Sequence, residues 1–229
     1  MGKKERIASN LEKISKLVED TCKKNSRNSS EIRMIAATKY ADIEQAQALY
    51  DLGVADFGEN KADELIYKSE NLKGCPIWHF IGHLQSNKIK KVVPIAEYIH
   101  SIENFDTLVK INNYAKSMNK IQKILIEVNI SGEETKYGLK PNDVKNFVMD
   151  GLKYDNIKIC GLMTMAPLTD DFAYIKSVFN SLKILLNDLN GCLEEGLNLT
   201  ELSMGMSNDL AAAIEEGATM IRVGSALFK

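Results

Sequence analysis

The feature that most restricts how this chain can fold is a repeated alternation of short apolar runs with stretches of helical periodicity. Each apolar run has the length typical of a buried strand, and the segment after it carries apolar residues at three- or four-residue spacing. The predicted strands are 32–38, 54–57, 77–81, 96–101, 121–130, 157–165, 199–204 and 220–223. The connections between these units are too short to contain another domain.

Strands that alternate with helices pair in parallel, and eight parallel strands are the number that closes a TIM barrel. A chain of 229 residues also lies within the size range of one such barrel. We therefore predict an α/β fold, a single-domain (β/α)8 TIM barrel over residues 1–229. An open doubly wound sheet is the alternative.

An additional helix is predicted before the first strand, from the helical spacing of Ile7, Ile14 and Val18. The sequence reaches Lys229 soon after the last predicted strand, which leaves no room for a full eighth helix. We therefore expect the N-terminal helix to cover the barrel surface that an eighth helix would otherwise cover.

Three local signals mark the starts of helices. Asp42 and Gln45 have the spacing of a capping box. Pro141 suits the first turn of a helix, where its missing N–H group is not needed. Ser207 is predicted to cap the helix that runs through Glu216.

The overall charge excludes several classes of partner. The chain has 29 basic and 31 acidic residues, a formal net charge of -2, so it has no strong field for nucleic acid or an anionic membrane. No apolar run approaches the length of a membrane span, and the start lacks the apolar segment of a secretory signal. We expect a cytoplasmic protein. Four cysteines without C-x-x-C spacing argue against a zinc site or a redox pair.

Active sites of such barrels lie at the C-terminal ends of the strands, and three candidate residues follow predicted strands there. Lys39 ends the first run; its neutral amine could form a Schiff base with an aldehyde, or it could be a rim lysine paired with a carboxylate. Asn60 could bind a ligand hydroxyl or cap the next helix. His83 could line the pocket or make a structural hydrogen bond. Along a strand it would lie roughly 13 Å from His79, too far to share a metal ion.

The last two predicted strands carry the candidates for an anion site. Ser203 lies near the end of the seventh strand and Gly205 follows it, and Gly224 and Ser225 follow the eighth. The loops after strands seven and eight commonly bind phosphate in this fold, although the glycines could be ordinary turn residues. Arg222 alternates with apolar neighbours and must find an acceptor inside the barrel, either a ligand nitrogen or a carboxylate.

The loop 129–138 is the longest polar segment on the predicted rim. It could cover the mouth of the barrel or serve only as a solvated connector, and we favour the connector.

Six stretches of the chain, in the right order, carry a resemblance to a known family. They are 36–39 (Ala-Ala-Thr-Lys), 57–60 (Phe-Gly-Glu-Asn), 78–88 (Trp-His-Phe-Ile-Gly-His-Leu-Gln-Ser-Asn-Lys), 161–165 (Gly-Leu-Met-Thr-Met), 202–210 (Leu-Ser-Met-Gly-Met-Ser-Asn-Asp-Leu) and 222–228 (Arg-Val-Gly-Ser-Ala-Leu-Phe). These residues resemble the pyridoxal phosphate homeostasis proteins, the YggS/PROSC-like family, which share the fold of the alanine racemase N-terminal barrel. The resemblance covers nearly the whole chain.

The resemblance implies a pyridoxal 5'-phosphate (PLP) site. Lys39 would carry PLP as a Schiff base, and Arg222 would approach its pyridine nitrogen. The residues expected to bind PLP are Lys39, Asn60, His83, Ser203, Gly205, Arg222, Gly224 and Ser225, of which Ser203, Gly224 and Ser225 would hold the phosphate. The first motif of the family often reads Ser-Lys-Thr-Lys-Pro, whereas this chain has Tyr40 and Ala41 after the lysine.

Three functions are compatible with these residues. The first is a PLP-binding protein of PLP homeostasis, a monomer or weak dimer without strong catalytic activity, which supplies cofactor to PLP-dependent apoenzymes. An arginine opposite the pyridine nitrogen would weaken carbanion chemistry, and related racemases also use a tyrosine from a second domain that we do not find here. The second is an amino-acid racemase acting as a single-domain barrel, and the third an aldolase-like barrel.

Overall fold

The computed structural model describes residues 2–229 and confirms a closed barrel of eight parallel strands. The strands are β1 (Arg33–Ala37), β2 (Asp56–Glu59), β3 (Ile77–Phe80), β4 (Tyr98–Ile102), β5 (Gln122–Glu127), β6 (Ile157–Met163), β7 (Glu201–Ser203) and β8 (Met220–Val223). β8 pairs with β1, with Met34 opposite Ile221 and Ala36 opposite Val223. This pairing rules out the open doubly wound sheet.

Helices surround the barrel, and the second to the eighth of them connect consecutive strands. They are α1 (Lys3–Lys24), α2 (Ile43–Asp51), α3 (Ala62–Asn71), α4 (Ile89–Val92), α5 (Phe105–Ser117), α6 (Pro141–Gly151), α7 (Phe172–Asn190), α8 (Leu210–Glu215) and α9 (Ser225–Phe228), with 3-10 turns at Ser29–Glu31 and Ser86–Lys88. The apolar residues between helices and strands form one core, and a smaller one fills the barrel interior around Ile35, Leu125 and Met163.

The N-terminal helix closes the side of the barrel where the last helices are short, as predicted. Ile7 and Ile14 are buried, and α1 packs against α2, α8 and α9. Just after α1, the guanidinium of Arg27 donates hydrogen bonds to the carbonyl oxygens of Ile214 and Ala218, at 2.7 and 2.8 Å. These bonds join the start of the chain to the end of α8.

Two of the three helix-start signals are confirmed and one is wrong. Asp42 and Gln45 exchange the two hydrogen bonds of a capping box, and Pro141 is the first residue of α6. Ser207 does not cap α8, which begins at Leu210. The reason is a turn in which the Asp209 carboxylate accepts the N–H of Met206, so the helix starts only after that turn.

Residues 2–229 lack two features that would point to other kinds of protein site. No helix in this range is both long and apolar enough to span a membrane. The same residues contain no cluster of three His, Cys, Asp or Glu side chains that could hold a metal ion.

Candidate functional site

Lys39 lies at the mouth of the barrel, just beyond the C-terminal end of β1. It occupies a turn in which the N–H of Ala41 donates to the Thr38 carbonyl oxygen at 2.8 Å. The lysine is exposed, and its Nζ lies 4.9 Å from the centre of the Tyr40 ring, not in a salt bridge to any carboxylate of residues 2–229. Tyr40 is itself 82% exposed. The amine is therefore open to a small molecule.

A buried ion pair supports the backbone at Lys39. Lys68 of α3 donates to Glu59 Oε1 at 2.5 Å and to the Thr38 carbonyl oxygen at 2.6 Å. The Thr38 hydroxyl donates to the same Glu59 oxygen at 2.6 Å, and all three side chains are at most 2% exposed. These bonds fix the residue that precedes Lys39 to the ends of β2 and α3.

Asn60 presents an unused acceptor at the mouth. Its Oδ1 atom is buried and has no hydrogen-bond partner among the described residues. The helix after it begins at Ala62 and has Lys61 at its N-cap, so Asn60 is not the cap. The segment after β3 lies very close to the Asn60 backbone, since a Cβ on Gly82 would lie 2.2 Å from the Asn60 carbonyl oxygen. Buried polar atoms are nearly always paired in folded proteins, so this oxygen is a candidate ligand contact.

His83 connects the mouth to the loop 129–138. Its Nδ1 lies 3.2 Å from Glu103 Oε1, and its ring stacks on Tyr137 with the centroids 4.4 Å apart. The N–H of Gly138 donates to the other oxygen of Glu103. The loop therefore packs on the rim through Tyr137 and Gly138 and is more than a solvated connector, while His83 makes the structural contact foreseen as its alternative role.

Gly205 and Ser203 lie at the C-terminal end of β7, and both have structural roles there. Gly205 has φ +92°, and a Cβ there would lie 2.5 Å from the Ala213 Cβ, so the turn requires glycine. Ser203 is completely buried, and its hydroxyl contacts Arg222 Nη1 at 2.6 Å and His100 Nδ1 at 2.9 Å. Ser203 thus touches Arg222 and does not present a free hydroxyl at the mouth.

Ser207 and the start of α9 supply polar groups on this side of the mouth. The Ser207 hydroxyl faces the N–H groups of Gly224 and Ala226 at 3.4 and 3.3 Å, both long for hydrogen bonds. A Cβ on Gly224 would meet the Ala37 carbonyl oxygen at 3.3 Å, and Ser225 is exposed. Backbone N–H groups next to hydroxyls suit an anion.

Arg222 supplies a buried positive charge below the mouth. Its Nη1 donates to Ser203 and its Nη2 to the Thr164 carbonyl oxygen at 3.0 Å. Burial lowers its pKa to about 10, opposed by the carboxylates of Asp209 and Glu127, so it stays protonated at neutral pH.

Glu127 is a second buried ionisable group at this end of the barrel. Burial and the nearby Glu103 carboxylate raise its pKa to about 7, and the charge of Arg222 opposes the rise.

Sequence reasoning missed three of the residues that shape the mouth. Glu59 lies within the 57–60 stretch that carries the family resemblance, but neither it nor Lys68 was assigned a role. An acid at the end of a buried strand was the only signal that a partner was required. Ser207 was interpreted as a helix cap, although it continues the series of every second residue that begins with Ser203 and Gly205.

The fold and the residues at the mouth define a barrel of the alanine racemase N-terminal class. The family model described as "Alanine racemase, N-terminal domain" matches residues 5–229. Among curated proteins, the pyridoxal phosphate homeostasis protein of Aquifex aeolicus is 37% identical over 98% of this chain and 96% of its own. The chain belongs to this family of pyridoxal phosphate homeostasis proteins.

A solved relative shows the same architecture. PipY of Synechococcus elongatus PCC7942, a COG0325 family member, is 31% identical and covers 100% of both chains with a TM-score of 0.86 in its structure without PLP. Its structure with PLP bound matches with a TM-score of 0.83, over 93% of this chain and 100% of that chain.

Proposed function

We propose that this protein binds PLP reversibly at the barrel mouth and serves PLP homeostasis, without strong catalytic activity of its own. The observation that carries the proposal is the exposed amine of Lys39 after β1, together with the unpaired, buried Oδ1 of Asn60 after β2, the strand that pairs with β1. The names of the relatives support it, as does PipY, whose solved structure has PLP bound.

The residues at the mouth fit each part of PLP. The cofactor supplies an aldehyde on an electron-withdrawing ring, and Lys39 supplies the amine that would hold it as a Schiff base. Ser207, Gly224 and Ser225 offer hydroxyl and N–H groups to the phosphate. Asn60 offers an acceptor to a ring hydroxyl.

Three of the predicted residues would act less directly. Gly205 shapes the turn, Ser203 orients Arg222, and His83 anchors the loop 129–138 beside the bound cofactor.

The charge of Arg222 favours holding PLP over catalysis. A protonated guanidinium facing the pyridine nitrogen disfavours protonation of that nitrogen and weakens the ring as an electron sink. Arg222 stays charged at neutral pH, as its pKa shows. Carbanion chemistry, which racemisation requires, is therefore disfavoured in this site.

A PLP titration tests the proposal. We expect the native chain to bind PLP with a visible absorption band, and Lys39→Ala to lose the band and bind more than about tenfold more weakly, because the Schiff base contributes most to retention. Lys13→Ala, which removes an exposed lysine of α1, is the matched control and should bind like the native chain. A native chain that binds no PLP would refute the function.

Two assays on the loaded protein test the rest of the proposal. Incubation with the apo form of a PLP-dependent enzyme should restore that enzyme's activity, and no restoration would exclude a role in cofactor supply. Turnover of either alanine enantiomer at an enzyme-like rate would show instead that the protein is a single-domain racemase.

A further inference from the structure

A chain of buried hydrogen bonds crosses the barrel interior from the first residue of β2 to Arg222. Asp56 Oδ1 lies 2.8 Å from His79 Nε2, and His79 Nδ1 lies 2.9 Å from His100 Nε2. His100 Nδ1 lies 2.9 Å from the Ser203 hydroxyl, which lies 2.6 Å from Arg222 Nη1. The two histidines, Ser203 and Arg222 are at most 5% exposed, and Asp56 is the partly exposed end.

The chemistry of the two ends gives this chain a single direction. Arginine has no acceptor, so Arg222 must donate to Ser203. An ionised carboxylate has no donor, so His79 must donate to Asp56 through its Nε2–H. A neutral imidazole has one donor and one acceptor nitrogen, which leaves His79 Nδ1 to accept from His100.

The same reasoning fixes the remaining bonds. His100 donates through Nε2–H to His79, so its Nδ1 must accept the hydroxyl proton of Ser203. Every group between Arg222 and Asp56 then donates in the same direction. Both histidines are predicted to be neutral Nε2–H tautomers.

The arrangement in the opposite direction requires an extra proton. If His100 donated to Ser203, His79 would have to donate to both His100 and Asp56 as an imidazolium. Burial lowers the pKa of His79, although the Asp56 carboxylate opposes the shift. Burial also lowers the pKa of His100 far below its usual value; a proton on His79 would lower it further, and the charge of Arg222 acts in the same direction. The arrangement in which both histidines are neutral is therefore the stable one.

We propose that Asp56, His79 and His100 are positioning residues for the PLP site and act on it from the opposite end of the barrel. Because His100 takes the only proton of the Ser203 hydroxyl, Ser203 can only accept from Arg222. Together with the Thr164 carbonyl oxygen, Ser203 then fixes two nitrogens of the guanidinium. The effect on PLP rests on the proposed function, whereas the direction of donation along the hydrogen-bond chain does not.

The direction is tested by long-range ¹H–¹⁵N NMR of the imidazoles in the ¹⁵N-labelled full-length chain without PLP. At neutral pH two histidines should be neutral Nε2–H tautomers, assigned through His79→Gln and His100→Gln. An Nδ1–H tautomer or an imidazolium at either position would overturn the proposal.

The effect on the site is tested with Asp56→Asn, which keeps the size of the side chain but can donate as well as accept. We expect its histidines to lose their single tautomer, its bound PLP to show a shifted absorption maximum, and its PLP affinity to fall about three- to tenfold, the effect of weakening one charge-assisted hydrogen bond. Tyr98→Phe is the control, since the Tyr98 ring stacks on His79 but lies outside the chain of bonds. It should keep both the tautomers and the PLP spectrum.

A second pair of variants separates positioning from folding. Ser203→Ala should shift the PLP spectrum as Asp56→Asn does, and Ser203→Thr, which keeps a hydroxyl, should restore it. Unchanged PLP spectra and affinities in both Asp56→Asn and Ser203→Ala would refute the coupling. If the native protein bound no PLP, the proposed function would fail, and the NMR result would still decide the direction of the hydrogen-bond chain.

Discussion

At the scale of single residues, the ion pair between Glu59 and Lys68 connects the stability of the fold to the site. Both side chains are buried, and they join the end of β2 to α3 directly behind Lys39. Glu59 Oε2 is already without a partner among the described residues. Loss of Lys68 would leave the carboxylate charge uncompensated in the interior, which costs far more than loss of a surface charge.

Lys68→Met should therefore lower the free energy of unfolding by about 3–5 kcal/mol in urea denaturation. Lys61→Met, at an exposed lysine just before α3, should change it by less than about 0.5 kcal/mol. The double variant Lys68→Met with Glu59→Gln should recover part of the loss because it removes the unpaired charge. A loss below about 1 kcal/mol for Lys68→Met would show that the pair contributes little.

Glu127 gives the residue scale a pH-dependent prediction. Its pKa of about 7 lies above the ordinary 4.5, so from pH 4.5 to 7 the folded state holds a proton that the unfolded state has lost. Glu127 thus costs nothing below pH 4.5, and its cost is complete above pH 7, at up to about 3 kcal/mol.

Glu127→Gln should therefore gain stability relative to the native chain as the pH rises from 4.5 to 7, with a constant difference above that. Urea unfolding at a series of pH values measures this gain. A difference that does not vary with pH would mean that Glu127 titrates normally.

At the scale of elements, α1 covers the part of the barrel that a helix after β8 would normally cover, although α1 lies at the start of the sequence. Its apolar face packs on α8 and α9, which are too short to cover the strands themselves. Ile7 is 1% exposed, whereas Leu17 on the same helix is 44% exposed. The two positions allow a matched comparison.

Ile7→Ala should destabilise the fold by about 2–4 kcal/mol through a cavity between α1 and the barrel, and Leu17→Ala by less than about 0.5 kcal/mol. Thermal or urea unfolding of both variants measures the difference. Equal effects would show that α1 is only loosely attached to the barrel.

The elements themselves were predictable because each is determined by local periodicity. The strands, the capping box at Asp42 and the start of α6 at Pro141 all follow from near neighbours in the sequence. Ser207 was misread because a serine before a helix is usually its cap, and here a turn at Asp209 delays the helix. The partner of Glu59 could not be predicted, since it depends on how α3 lies against β2.

At the scale of the whole molecule, closure of the barrel creates the site. β7, β8, β1 and β2 are consecutive neighbours only because β8 pairs with β1. Closure thereby brings Ser207 and Gly224, near the end of the sequence, next to Lys39 and Asn60. The fold class alone predicts that these strand ends share one rim. The hydrogen-bond chain from Asp56 to Arg222 could not be predicted, because it depends on the relative registers of five strands.

The most direct test of the central claim is to reduce the PLP-loaded native chain with borohydride and map the modified peptide by mass spectrometry. The account predicts one pyridoxyl group per chain, on Lys39, and none in Lys39→Ala under the same conditions. Label on other lysines with Lys39 unmodified, or no label at all, would contradict it and leave Lys39 as an ordinary lysine on the rim of the barrel.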